Sequence, residues 1–115
     1  MAYQQALNLL HTNSNDKGVI ARNDPTATGA AHAVNESGRE DEVALIGFDY
    51  SLPVLQSVEA DVTRDTNVQR PFNMGYLCIT TAMDIIHAKS VAPIIVTGSK
   101  VIDHQNRMLP ENQKL

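Results

Sequence analysis

The sequence predicts an α/β fold with a mainly parallel sheet. Helical and extended patterns alternate in the order helix–strand–helix–strand–helix–strand–helix, which is typical of parallel strands joined by right-handed crossovers. The segment VALIGF (43–48) has apolar residues on both faces, the pattern of a strand that is buried on both sides. A chain of 115 residues is long enough for one compact domain but not for two.

The first half of the chain predicts two helices and a short strand. Residues 2–11 place alanine and leucine at helical spacing. Residues 19–21 (VIA) form a short apolar strand that ends at RND. Pro25 begins a second helix that ends before Gly38, and we expect Asp24 to cap it.

The second half begins with the strand at 43–48, after which Ser51 is the expected cap of a short helix. Residues 61–69 are extended but unusually polar, so they predict an edge strand with Asp61 and Asp65 on its solvated face. Pro71 begins the longest helix, which runs to about Ala88. The last 25 residues predict one or two strands and a polar tail.

The composition argues against several classes of protein. The net charge is −4 and the nine basic residues are scattered, whereas nucleic-acid binding needs clustered Lys and Arg. No apolar stretch approaches the ~20 residues of a membrane span. The start MAYQQALNLLH lacks the basic region of a signal peptide, so the chain as given is expected to stay in the cytoplasm when expressed.

Motifs for catalysis, cofactors or metals are absent from the sequence. The four histidines are far apart and are predicted to be surface residues, and the single cysteine, Cys78, is predicted to be a buried thiol. There is no G-x-S-x-G, Walker or G-x-G-x-x-G motif. Gly29 is expected to allow close helix–sheet packing. No cofactor is expected, and an enzyme is the least favoured class.

Polar residues follow three of the predicted strands, namely Asn23, Asp49 and Gln69. Ligands of open parallel sheets bind at the carboxyl ends of the strands. If Asp24 and Ser51 cap the following helices, Asn23 and Asp49 have no local role, although local hydrogen bonds remain the alternative to a shared site.

Two amides and a carboxylate suit a ligand rich in hydroxyl groups, such as a sugar, because hydroxyls both donate and accept hydrogen bonds. Phe48 is placed to stack on a sugar ring. Core packing is the alternative for Phe48, and strand alternation would point Phe48 and Asp49 to opposite faces.

The segment GVIARNDPTATGAAHAVNESGREDEVALIGFD, followed by VQRPFNMGY, resembles the C-terminal half of type I periplasmic binding proteins. The most similar branch is the ribose-type sugar-binding proteins of ABC transporters. The resemblance implies that Asn23, Asp49 and Gln69 contact a sugar, and that Phe48 lines the pocket. It also implies a glycine at the position of Asp61, where this chain departs from the family.

A complete member of that family has two lobes, and the resemblance covers part of one of them. It implies a truncated three-layer α/β/α lobe at 1–92, and a hinge-crossing segment and tail at 93–115. The implied partners of the full-length parent are a sugar, which this chain binds weakly or not at all, the missing N-terminal lobe and an ABC permease in the membrane. The parent is expected to act outside the cytoplasm. We also expect a homo-oligomer that forms through the exposed edge of strand 19–21.

Two other function classes stay open at this point. Lac-repressor-type regulators and some membrane sensors share the fold, so the chain is alternatively the effector-binding half of such a protein. The third class, an unrelated small α/β enzyme, would need a catalytic dyad that the sequence does not show.

Overall fold

The computed structural model describes residues 1–112. Helices and strands alternate along this part of the chain: α1 Ala2–Thr12, β1 Gly18–Ile20, α2 Asp24–Glu36, β2 Ala44–Phe48, α3 Leu52–Glu59, β3 Asp65–Gln69, α4 Pro71–Ile86 and β4 Ser99–Asp103. The predicted α/β class and the alternation are confirmed. β4 is the strand that the sequence placed loosely within the last 25 residues.

The four strands form one sheet in the order β1-β2-β3-β4. β1 pairs with β2 and β2 pairs with β3, both in parallel, so that Val19 lies opposite Leu45 and Gly47 opposite Thr66. β1 is an edge strand, as predicted. The prediction that 61–69 forms an edge strand is wrong, because β3 lies between β2 and β4 and accommodates a polar residue, Thr66, that is completely buried.

The chain divides into two compact units. Among the described residues, the first consists of residues 1–68 together with 101–112, and the second is Gln69–Lys100. The core of the first unit is built around α2, which contacts α1, β2 and α3. Its buried apolar side chains are Leu10, Ala21, Ala27, Ala30, Ala31, Ala33, Val34, Val43, Leu45, Val54 and Val62.

Strand β2 is fully buried on one face only. Leu45 and Gly47 are buried, whereas Ala44, Ile46 and Phe48 on the other face are half-buried. The predicted burial on both faces is therefore only partly correct. Leu45 belongs to the same buried cluster as core residues of α1, α2 and α3, which explains why that face is the more deeply buried one.

Gly29 allows two helices to approach each other closely. A Cβ atom at position 29 would lie 2.7 Å from the backbone nitrogen of Tyr3 and 2.9 Å from the Cβ of Ala2. The small side chain therefore serves the contact between α1 and α2, and the predicted helix–sheet contact is wrong.

The second unit consists mainly of α4, which at 16 residues is the longest helix. None of its residues is buried and Cys78 is exposed, so the prediction of a buried thiol is wrong. Helical periodicity identifies an apolar face, but it does not determine whether another element covers that face. No helix within residues 1–112 is long and apolar enough to cross a bilayer.

Candidate functional site

Asn23 is the N-cap of α2, with an extended backbone (φ −163°, ψ 168°). Its Oδ1 accepts a 3.0 Å hydrogen bond from the Thr26 backbone N–H, and the Thr26 hydroxyl accepts a 3.2 Å bond from the Asn23 N–H. This reciprocal pair is a capping box. The prediction that Asp24 caps the helix and leaves Asn23 without a local role is therefore wrong, because Asp24 is already the first residue of the helix.

Asp24 has a different role from the one predicted. Its Oδ1 accepts a 3.2 Å hydrogen bond from the backbone N–H of Ser51, which ties the start of α2 to the start of α3. Ser51 occupies the N-cap position of α3, as predicted, but its hydroxyl makes no capping bond. That hydroxyl is buried and has no hydrogen-bond partner within residues 1–112.

Asp49 follows β2 directly and has a left-handed backbone conformation, with φ of 76°. Its N–H donates a 3.0 Å hydrogen bond to the carbonyl oxygen of Asn67. Its own carbonyl oxygen accepts a 2.7 Å bond from the Thr66 hydroxyl. Because Asp49 lies beyond the end of the strand, the alternation argument that separated Asp49 from Phe48 does not extend to it.

The other two candidate residues are the last residues of their strands. Phe48 ends β2, lies opposite Asn67 and is half-buried. Gln69 ends β3, is half-buried and is the first residue of the second unit. The structure therefore places Asn23, Phe48 and Asp49 in one unit, where the Asp24–Ser51 bond joins the loops after β1 and β2. Gln69 belongs to the other unit.

Two cavities in the first unit lie away from these residues. A cleft of about 760 Å³ is lined by Lys17, Ala44 and Asp65, at the amino ends of β1, β2 and β3, and by the pair His104 and Asp61. A smaller cavity of about 290 Å³ lies between α2 and α3. Ligands of parallel sheets bind at the opposite, carboxyl ends, so size alone does not identify the candidate site.

The histidine and carboxylate side chains of residues 1–112 do not form a candidate metal site. All four histidines are exposed, as predicted, and His104 Nδ1 lies 3.2 Å from Asp61 Oδ1. Within residues 1–112 no group of three or more His, Cys, Asp or Glu side chains is arranged to hold a metal ion.

Thr66 and Gly47 lie next to the Asp49 backbone, and the sequence analysis does not predict this arrangement. The available signal was the glycine inside the apolar strand LIGF, because a glycine within a strand often marks a close approach by a neighbouring group. A Cβ atom at position 47 would lie 3.2 Å from the Thr66 Oγ1 atom. Gly47 thus leaves room for the hydroxyl that contacts Asp49.

Comparison with known proteins identifies the family. The sequence profile described as periplasmic binding protein domain matches residues 1–90. The chain belongs to this family. The ribose import binding protein RbsB of Bacillus subtilis is 36% identical over 94 residues, which cover 82% of this chain and 30% of that protein. The D-allose-binding periplasmic protein of Escherichia coli is 30% identical over 81% of this chain and 30% of its own length.

Solved structures of this family share the fold. An ABC transporter solute-binding protein from Agrobacterium vitis with bound D-fucose superposes with a TM-score of 0.85 at 29% identity. The match covers 99% of this chain and 39% of that protein. The chain therefore spans about a third of the length of these periplasmic binding protein relatives. The family-level prediction made from segments 18–49 and 68–76 is confirmed.

Proposed function

We propose that this chain forms one side of a monosaccharide-binding site in the solute-binding component of an ABC transporter. The observation that carries the proposal is the arrangement of Asn23 and Asp49, which follow two neighbouring parallel strands at their carboxyl ends. The Asp24–Ser51 hydrogen bond joins their loops. The relatives' names mention ribose, D-allose and D-fucose, so the substrate class is a monosaccharide that is bound without chemical conversion.

Each of the four side chains has a distinct role in the proposed site. The Oδ1 atom of Asn23 is engaged in the capping box, so its Nδ2 group donates to a sugar hydroxyl. The carboxylate of Asp49 accepts from a hydroxyl, and the amide of Gln69 both donates and accepts. The ring of Phe48 covers an apolar C–H face of the sugar.

The affinity of this chain alone follows from the share of the site that it carries. The relatives are about three times longer, and the proposed parent encloses its sugar between two lobes. We assign residues 1–92 to part of the C-terminal lobe and 93–115 to the hinge crossing and tail. Loss of the opposing lobe removes several kcal/mol, and each ~1.4 kcal/mol is tenfold in affinity, so we expect millimolar binding or none.

The parent protein's partners and location follow from the same proposal. The relatives are described as an import binding protein, a periplasmic protein and an ABC transporter component. We therefore infer that the parent acts outside the cytoplasm, with an N-terminal lobe and a membrane permease as its partners.

The test is an amide NMR titration of the chain with D-ribose, D-allose and D-fucose. Selective shifts near Asn23, Asp49 and Gln69 are expected. Asn23→Ser retains a good helix cap but removes the amide donor, so it should abolish the shifts with a change in stability below about 0.5 kcal/mol. The matched control is Asp41→Asn, which changes an exposed carboxylate in the cleft at the amino ends of the strands. It should leave the shifts unchanged.

Two results of this titration would contradict the proposal. The first is a set of sugar-induced shifts that map to the cleft near Asp65 and not to Asn23 and Asp49. The second is unchanged sugar binding in Asn23→Ser. A sub-micromolar dissociation constant would instead contradict the expectation that this chain holds only part of the site.

We also infer that the chain self-associates through β1. β1 is at the edge of the sheet, and its last residue, Ile20, is 76% exposed. An edge strand presents unpaired backbone groups to which another strand can add. A second copy of this chain is the proposed occupant.

A further inference from the structure

The backbone of Asp49 is held in an uncommon conformation by a neighbouring strand. Its φ is 76°, a left-handed value that few non-glycine residues adopt, and the hydrogen bonds around Asp49 help to hold it there. The Asp49 N–H donates to the Asn67 carbonyl oxygen and the Asp49 carbonyl oxygen accepts from Thr66. Both partners are in β3.

The Thr66 hydroxyl reaches Asp49 because the neighbouring strand leaves space for it. Thr66 is fully buried and lies opposite Gly47 in the parallel register. A Cβ atom at position 47 would lie 3.2 Å from its Oγ1 and 3.4 Å from its Cβ. A buried hydroxyl that lacks a hydrogen-bond partner is destabilising, and the 2.7 Å bond to the Asp49 carbonyl oxygen satisfies this one.

A second element holds the same loop two residues further on. The Ser51 N–H donates to Oδ1 of Asp24, and Asp24 directly follows Asn23, the cap of α2. The loop 49–51 is thus fixed on one side to β3 and on the other to the residue next to Asn23.

We propose that Thr66 and Asp24 are positioning residues that orient the Asp49 carboxylate toward the sugar, although neither touches the sugar itself. The inference rests on the proposed function, in which Asp49 contacts the ligand. Thr66 sets the direction in which the chain leaves β2, and Asp24 sets the distance between the Asp49 loop and Asn23.

The test compares matched pairs of variants. Thr66→Val removes the hydroxyl at nearly constant shape, and Thr66→Ser restores it. Asp24→Ala removes the acceptor, whereas Asp24→Asn keeps an oxygen at the same place. The first readout, taken without sugar, is the Asp49 amide-to-Hα coupling constant together with its Cα chemical shift, because both report φ. The second is the sugar titration.

Thr66→Val and Asp24→Ala should alter the Asp49 backbone signature and weaken sugar binding about tenfold, as expected for a lost hydrogen-bonded orientation. Thr66→Ser and Asp24→Asn should restore both. If Thr66→Val does not fold, the comparison of Asp24→Ala with Asp24→Asn tests the proposal by itself.

Several outcomes would overturn the proposal. An Asp49 backbone signature that is unchanged in both Thr66→Val and Asp24→Ala would overturn it, whatever the result of the sugar titration. A changed signature with undiminished sugar binding also does so, because orientation would then not matter. If the unsubstituted chain shows no sugar shifts, this chain alone binds too weakly for the second readout, and the Asp49 backbone signature alone decides whether these residues position Asp49.

Discussion

Gly29 of α2 lies so close to Tyr3 of α1 that a Cβ atom at position 29 would be 2.7 Å from the Tyr3 backbone nitrogen. Gly29→Ala should therefore destabilise the first unit. Alanine gains about 1 kcal/mol in helix propensity, but overpacking against backbone costs about 1–3 kcal/mol. The expected difference is a net loss of about 1 kcal/mol, and at most about 2 kcal/mol, in urea unfolding.

Gly75→Ala is the matched control for Gly29→Ala. Gly75 is inside α4, and among residues 1–112 a Cβ atom there would meet no atom within 4 Å apart from its chain neighbours and the nearby backbone of its own helix. Only the propensity gain applies, so this variant should stabilise α4 by up to about 1 kcal/mol. A Gly29→Ala protein as stable as the unsubstituted chain would show that α1 and α2 separate at little cost.

Asp61 occupies a backbone conformation that favours glycine. Its φ is 57°, and the family resemblance implies glycine at this position. Asp61→Gly and Asp61→Ala both remove the carboxylate near His104, but only glycine relieves the backbone strain. The glycine variant should be more stable than the alanine variant by about 1 kcal/mol in urea unfolding. Equal stability of the two variants would contradict a strained backbone at this position.

The hydroxyl of Tyr3 donates a hydrogen bond to Glu36 and so links α1 to α2. This bond, with smaller contributions from burial and the negative charge of Glu36, raises the pKa of Tyr3 above its usual value of 10.0. A folded-state pKa above the unfolded one stabilises the fold below pH 10.0, and that stabilisation is lost as the pH rises through the folded pKa.

Tyr3→Phe should therefore lower the free energy of unfolding below pH 10.0, and should reduce its decline at higher pH. Urea unfolding across this range measures both effects. Tyr76→Phe is the control, because Tyr76 is 59% exposed and lies in the other unit. An identical pH profile for Tyr3→Phe and the unsubstituted chain would contradict the Tyr3–Glu36 link.

Self-association through β1 should be sensitive to charge at the sheet edge. Ile20→Lys places a charge on the exposed edge, where lysine opposes strand addition. Light scattering should show dimers or larger species for the unsubstituted chain and mainly monomers for Ile20→Lys. Leu9→Lys, a substitution at a 57% exposed apolar residue on α1, should leave the association unchanged. A monomeric unsubstituted chain at high concentration would refute the inference.

The sequence predicted the elements well because their signals are local. Pro25 and Pro71 each lie at the start of a helix, and a strand covers 44–48 of the predicted 43–48. The choice between Asn23 and Asp24 as the cap failed because both are good cap residues. Asn23 has the extended backbone of an N-cap, whereas Asp24 accepts a long-range hydrogen bond from Ser51. Neither feature is visible in the local sequence.

The polar strand β3 and the thiol of Cys78 show that the burial of a side chain is harder to predict from the sequence than its secondary structure. A threonine in a strand predicts exposure unless a partner is known, and the partner of Thr66 is a carbonyl oxygen 17 positions away. Cys78 lies in an apolar helical stretch, yet it is exposed. In both cases the outcome depends on which groups meet across the fold, and periodicity carries no information about that.

The capping box at Asn23 narrows the set of residues that this position can accept. Serine and aspartate would cap the start of α2 about as well, and threonine slightly less well, but they offer a ligand no amide hydrogen. Glutamine and lysine would offer a hydrogen but are poor caps. Under the proposed role asparagine is the side chain that meets both demands, so a saturation scan selected for sugar binding should tolerate fewer substitutions at position 23 than one selected for folding.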